Sequence, residues 1–419
     1  MDIQKFCSEL GFDADFASKL EPFQDLLLAN SREDFPPFME KSFYTEYYPL
    51  CGGPAADTVY PAMEEVARIV RANPAAARYA SMLHYAFFLA PSFIRTIPWR
   101  SPVAVFGRNA GIFQLLVAMS CLPLVRRKHA ELNIPEKYMI GTAQWIGGTI
   151  GIYAAAHDGY PGHTITQTHW LRLSVDGHLF RIGRLEFLPR FWSDSFPAVY
   201  RRKNSRSLAV LCLNGWAFDA QGFRVDPEKN VPAHVTSLKL VNGTVKGTPV
   251  TPDGKPLFER EIILDLNDWE PLWAPWEPQY TIHIPGGGGM TLEAVRKSLA
   301  EAVTFFHDHL GQDIKVFTCC SWILNPVWEQ ELPNSNLAAL QRNVFMTPCP
   351  PPGGNPGLFF VYGEHDCDPR QRPCTTALHQ AFRRIYERGE PLRAGCMILP
   401  ADDVEFFGTE YYRRNYIRP

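Results

Sequence analysis

Apolar positions recur at helical spacing through about the first 160 residues, then shift toward a period of two. After Asp57, residues Tyr60, Met63, Val66, Ile69 and Val70 mark one face of a helix. Ala75–Phe88, Ala110–Leu122 and Pro135–Tyr153 read the same way. Gly, His and Pro crowd Tyr153–His163 and mark a boundary. Beyond it, Leu171, Leu173 and Val175 alternate with polar residues, Asp176-Gly177 reads as a hairpin turn, and Leu179–Phe187 as the returning strand. The apolar parity of that strand switches at Gly183, which predicts a bulge and places Arg184 and Glu186 beside the core face. Ser207–Leu213 and Phe258–Leu266 are further strands. Trp269, Trp273 and Trp276, spaced by prolines, form either a wall over a ligand or a cover over a sheet edge.

The last third alternates. Gln279–Ile284 is a strand, Gly286–Gly289 a loop, and the stripe Leu292, Val295, Leu299, Ala302, Val303, Phe306, Leu310 a helix, with Thr291 as N-cap and Gly311 as stop. Ile314–Leu324 is a second strand, so the two form a parallel pair joined by a right-handed crossover. Asn325–Val344 reads as helix broken at Pro333, Leu358–Tyr362 as a strand, Thr376–Gly389 as a helix and Ala394–Leu399 as a final strand. The pattern predicts a helical domain over 1–160 and an α+β domain over 161–419.

Composition narrows the partners. The formal net charge is −3, which argues against nucleic acid or an anionic membrane. The apolar stretch Ile112–Val125 is short of a span and reads as a buried helix. Asp2-Ile3-Gln4-Lys5 does not read as a leader. Ten cysteines without a disulfide rhythm point to reduced thiols and a cytoplasmic location. His307 and His309 are two apart and do not share a helix face, so no metal site is expected there or at the Glu364–Asp368 loop.

The glycine loop carries the strongest chemical signal. Glycines between a strand and a helix leave backbone N–H groups free to seat an anion, most often phosphate, at the positive end of the helix. A Walker loop needs lysine before Thr291, where Met290 stands. A Rossmann loop needs a third glycine and an acidic residue ending the next strand, which ends Thr318-Cys319-Cys320-Ser321-Trp322. His283-Ile284-Pro285-Gly286-Gly287-Gly288 is similar instead to the Gln/Arg-x-x-Gly-x-Gly/Ala loop of GNAT-type N-acyltransferases, with His for Gln/Arg.

The flanks extend that likeness. Phe180-Arg181-Ile182-Gly183-Arg184-Leu185-Glu186-Phe187, the run Cys319-Cys320-Ser321-Trp322-Ile323-Leu324-Asn325-Pro326, and Leu332-Pro333-Asn334-Ser335-Asn336 with Gln341-Arg342 stand in matching order. Over about 170–345 the chain resembles a bacterial family of acyltransferase-like proteins with a helical N-terminal domain and a GNAT-like C-terminal domain. The resemblance implies a mixed sheet with a splayed parallel strand pair, and acyl-CoA as co-substrate in the gap. Ile284, Gly286, Gly287, Gly288, Gly289 and Thr291 would hold its pyrophosphate. An amine acceptor would attack the thioester near Ile282–Pro285 and Cys319–Ser321. Glu186 is then the first choice for base, with His283, Cys320 and Ser321 as further candidates; each also has a plain structural reading. The tyrosine that such enzymes use to protonate the leaving thiolate has no counterpart in Asn325–Val344, which leaves Tyr362, Cys319 or water. A catalytically degenerate CoA or phosphate-ligand sensor, and a protein-interaction module, are the alternative readings.

Overall fold

A computed structural model of the chain describes residues 2–190 and 193–416. It divides into two compact units, Met1–Arg181 with Pro285–Gly287, and Ile182–Ile284 with Gly288–Pro419. The first unit is helical. Its helices include α1 (Lys41–Cys51), α2 (Ala56–Ala72), α3 (Pro74–Phe88), α4 (Ala110–Met119) and α5 (Glu136–Ala155). In α2 the buried stripe is Val59, Met63, Val66, Ala67 and Val70. The helix begins at Ala56, so Asp57 lies inside its first turn rather than capping it. Asn73 caps α3 by accepting from the Ala76 amide at 3.1 Å, and Pro74 occupies the first turn, where no amide is needed. All ten residues of α4 are buried. By length and composition Val103–Glu131 is apolar enough to cross a bilayer, but most of its apolar stretch is covered by the unit's own core.

The predicted strand at Leu171–Val175 is helical: Ile165–Thr168, His169–Leu171 and Arg172–Val175 follow one another. Leu171 and Ser174, three apart, are the buried positions, and a five-residue window fits both periods. Asp176-Gly177 therefore ends a helix. Gly177 takes φ +72° and the His178 amide reaches back to the Leu173 carbonyl at 2.8 Å, a helix stop rather than a hairpin.

The hairpin turn is Gly183-Arg184, between β1 (Phe180–Ile182) and β2 (Leu185–Arg190). Gly183 adopts φ +60°, and a Cβ there would stand 2.6 Å from Ser298 Oγ. That turn, not a bulge, switches the apolar parity.

The second unit is built on a six-stranded sheet of β1, β2, β3 (Gln279–His283), β4 (Val316–Ser321), β5 (Phe345–Thr347) and β6 (Gly395–Pro400), in the order β1-β2-β3-β4-β6-β5. β3 and β4 are parallel; β2–β3, β4–β6 and β6–β5 are antiparallel. Helix α6 (Leu292–Leu310) connects β3 to β4 and buries Val295, Ser298, Leu299, Ala302, Phe305 and Phe306. Phe187 of β2 meets Phe306 of α6 and Phe317 of β4 at ring separations of 6.5 and 5.6 Å. α7 (Asn336–Asn343) follows β4 and is capped by Ser335.

Leu358–Tyr362, expected as a strand, is a helix flanked by Gly357 and Gly363, because a five-residue apolar run carries no period of its own. Trp269–Trp273 pairs with Ala198–Arg202 in a separate three-stranded sheet, so the first part of the tryptophan segment is strand, while Trp276 lies in the turn after it.

Candidate active site

β3 is hydrogen-bonded to β2 along its whole length, from Gln279↔Arg190 to His283↔Glu186. Its pairing with β4 stops after two residues, Tyr280↔Phe317 and Thr281↔Thr318. Past that point Cys319, Cys320 and Ser321 pair only with β6. The two parallel strands part beyond Thr281 and Thr318. A polar clasp closes the base of the gap: Thr318 Oγ1 donates to Gln279 Oε1 at 2.9 Å and lies 3.3 Å from Thr281 Oγ1. Gln279 and Thr318 are fully buried, so these bonds form where their loss would be costly.

Alternation along the strands sorts the candidates by face. Tyr280, Ile282, Phe187, Phe317 and Cys319 lie on the α6 face. Below the gap on that face, Ile282, Ile284, Cys319, Val295, Leu324 and Met397 line a small apolar cleft, with room for about one water-sized group.

Glu186, His283, Thr281, Thr318 and Cys320 lie on the opposite face. Glu186 and His283 stand directly opposite each other in the antiparallel register, which places their side chains side by side. Glu186 is only 3% exposed. Burial, with a smaller contribution from the Arg190 charge, pulls the His283 imidazole down to about 4. His283 is therefore neutral near pH 7, beside a buried carboxyl group.

Cys320 is corrected by the structure. Its sulfur is joined in a disulfide to Cys396, the residue directly opposite it on β6, with Cα atoms 4.2 Å apart. A disulfide sulfur carries no thiol proton and cannot serve as acid or base. The pairing also departs from the expectation of reduced cysteines throughout; a separation of 76 residues left no trace in the spacing. The Cys349 sulfur lies within 4.8 Å of both, but with Cys320 and Cys396 joined to each other, Cys349 is the one thiol of the three.

Ser321 Oγ accepts from the Ile323 amide at 3.3 Å and caps the short turn that follows β4. Of the two stand-ins for the missing tyrosine, Tyr362 belongs to a separate cluster with Trp328 and Phe382, where it stacks on His379. Cys319 is buried at the gap, and burial pushes its thiol up to about 12, too weak an acid for a leaving thiolate of pKa about 8.5.

The glycine loop runs from the end of β3 into α6. Gly287 and Gly288 adopt φ +76° and +70°, which other residues rarely take. Among the described residues, the amides of Gly286, Gly287, Gly288 and Gly289 donate no backbone hydrogen bond. Arg184 Nε donates to the Gly289 carbonyl at 3.2 Å, and Thr291 Oγ1 accepts from the Ala294 amide as the N-cap of α6. Gly286 belongs to the helical unit, where a Cβ on Gly148 of α5 would come 2.8 Å from the Gly286 carbonyl oxygen. In the second unit, the Gly288 and Gly289 amides lead into the positive end of a 19-residue helix, an arrangement that suits an anion.

A family model described as a GNAT-like C-terminal domain matches residues 179–399, more than half of the chain. Among solved structures, an acyltransferase in complex with decanoyl-CoA and teicoplanin superposes with a TM-score of 0.58 at 19% identity, covering 96% of this chain and 100% of that one. An acyltransferase in complex with CoA and 10C-teicoplanin gives 0.59 at 19%, over 96% and 100%. An acyltransferase in complex with decanoyl-CoA gives 0.59 at 18%, over 95% and 99%. At these identities the likeness is one of fold, and it extends over both units. No protein of curated function matches the chain in sequence.

Proposed function

Because the chain belongs to the GNAT-like C-terminal domain family, we propose that it transfers an acyl group from acyl-CoA to an amine. The observation that carries this reading is the parting of β3 and β4 beyond Thr281 and Thr318. Beyond it β3 and β4 no longer pair, and an extended arm laid into that gap could add to the sheet as a strand. The pantetheine of CoA has the length and the amides for that role. The glycine amides would take the pyrophosphate, and the thioester would lie at the mouth of the gap.

Attack on the thioester needs a neutral amine. Glu186 would accept the ammonium proton, while the His283 imidazole beside it, pulled down to about 4, is too weak a base to hold that proton and would stay neutral. A CoA thiolate is a stable leaving group near neutral pH, since its acid has a pKa of about 8.5, so the reaction tolerates the absence of a tyrosine. The structural neighbours that hold CoA and decanoyl-CoA support an acyl-CoA donor.

The test is turnover: acetyl-, octanoyl- and decanoyl-CoA with an amine library, read as released thiol. Thiol release dependent on both substrates is expected. Tight CoA binding without turnover would favour the sensor reading, for which the tied-up Cys320 and the missing tyrosine speak. Failure to bind CoA would overturn both.

A further inference from the structure

Two arginines of the second unit share a cleft, and neither has a carboxylate within ion-pair distance among the described residues. The cleft, about 110 Å³, is lined by Arg224, Arg393, Phe223, Pro326, Cys349 and Gly395 among others. The Arg224 guanidinium lies 3.9 Å over the Trp216 ring, and among the described residues its one hydrogen bond is a long one, 3.4 Å to the Ser195 carbonyl. Arg393 lies 3.5 Å over the Phe223 ring. Burial pulls both guanidinium groups below their usual values, against the opposing pull of more distant acids, Asp194 for Arg224 and Asp219 and Glu390 for Arg393.

Most of the surrounding acids are committed. Asp219 accepts from the Gln221 and Phe223 amides, Glu390 is paired with Arg388, and Asp253 with Lys255. Arginine does not shed its proton in a protein, so stripping its water without supplying an anion is unfavourable. Two such groups in one concave site call for a bound anion, and the planar fork of each matches carboxylate or phosphate.

The place of the cleft says which molecule brings that anion. Gly395 on its wall stands directly opposite Ser321 at the end of β4. Cys349, also on the wall, lies within 4.8 Å of Cys320. The cleft therefore abuts the end of β4 at which the strand gap opens. No residue of the glycine loop lines it, so the pyrophosphate of the donor has a separate seat. Through Arg393, Phe223, Pro326 and Met346 it continues into a larger cavity of about 600 Å³, room for the body of a small molecule. We infer that the cleft is an acceptor subsite, in which Arg224 and Arg393 hold a carboxylate or phosphate carried by the amine. This rests on the acyl-transfer reading.

Matched acceptors test it in the unaltered protein: 4-aminobutyrate against butylamine, and phosphoethanolamine against ethylamine. The anionic member of at least one pair is expected to have a kcat/KM at least tenfold higher, and the pair that shows it distinguishes carboxylate from phosphate. Arg224→Gln and Arg393→Gln should each erase that preference, while Arg32→Gln, outside the cleft, should not. Equal use of the charged and neutral members overturns the inference and leaves acyl transfer standing. Equilibrium dialysis with labelled glutarate and with inorganic phosphate gives a readout independent of turnover. Retention by the wild type, weakened about tenfold in either cleft variant, is expected. Equal retention by wild type and variants overturns the anion site. Arginine-dependent retention with no turnover on any amine would overturn the acceptor role and, separately, the acyl-transfer reading.

Discussion

Glu186 is a carboxyl group inside the second unit, one cross-strand position from a histidine that burial keeps neutral. A general base must offer its lone pairs beside the reacting group, and Glu186 is the carboxyl group that the strand register offers there, with a basicity of its own to lose. Glu186→Gln preserves shape and removes that basicity. It should lower kcat by about 10²–10⁴-fold while leaving the Kd of CoA, measured by calorimetry, within about twofold. A parallel loss of CoA affinity would assign Glu186 to structure instead. Cys320 gives the opposite expectation. Cys320→Ser should keep turnover within a few-fold, since no thiol proton is available to lose. It should lower stability in non-reducing buffer by about 2–4 kcal/mol, the usual worth of a cross-link closing a long loop. A large drop in kcat with unchanged thermal stability would return Cys320 to the chemistry. That Glu186 lies beside the core was readable from the parity switch at Gly183, whereas the cap made by Ser321 was not, because capping depends on the chain direction after β4.

The strand–loop–helix–strand run was readable because α6 is long and its stripe regular, with Thr291 and Gly311 punctuating it. Leu171–Val175 and Leu358–Tyr362 were not, because five residues cannot distinguish two periods and tertiary packing decided them. The parting of β3 and β4 was expected from family resemblance; no feature of either strand's own sequence encodes where pairing stops. The loop has its own tests. Gly287 has open space around it, so substitution acts through its φ of +76° rather than through a clash. Gly287→Val should raise the KM for acyl-CoA, with a backbone cost of about 1–2 kcal/mol, and Gly287→Asn, which tolerates that conformation, should raise it less. Similar KM values for the two variants would argue against a loop whose conformation matters to the donor. On α5, adjacent glycines divide labour. A Cβ at Gly147 would meet the Cys51 carbonyl oxygen of α1 at 1.9 Å, whereas one at Gly148 would press on Gly286 at 2.8 Å. Gly147→Ala should thus destabilise the helical unit by about 1–3 kcal/mol in urea melts. Gly148→Ala should instead displace the loop and raise the acyl-CoA KM with a smaller stability loss. Equal effects of the two on melting would remove the distinction.

At the scale of the molecule, buried histidines set the acid limit. Burial pulls His84, His129 and His163 of the helical unit, and His283 of the other, down to about 4. Each is neutral when folded and takes up a proton near pH 6.5 once unfolded. Between about pH 6.5 and 4 the unfolded chain therefore binds more protons, and stability falls as pH falls through that window. A shift from 6.5 to about 4 corresponds to at most about 3.4 kcal/mol per histidine. Carboxylates held low by their partners, such as Asp13 and Asp226, stay charged through most of the window and add little to its slope. With three of the four histidines in the helical unit, that unit should lose protection first. Hydrogen exchange at pH 7.5 and pH 4.8 should show greater loss of protection within α3, α4 and α5 than within β2, β3 and β4. His163→Gln, which removes one proton site, should gain stability relative to wild type on going from pH 7.5 to 4.8 and shallow the slope between. A pH-independent denaturation midpoint across that range would show that these rings reach solvent or protonate in place without unfolding.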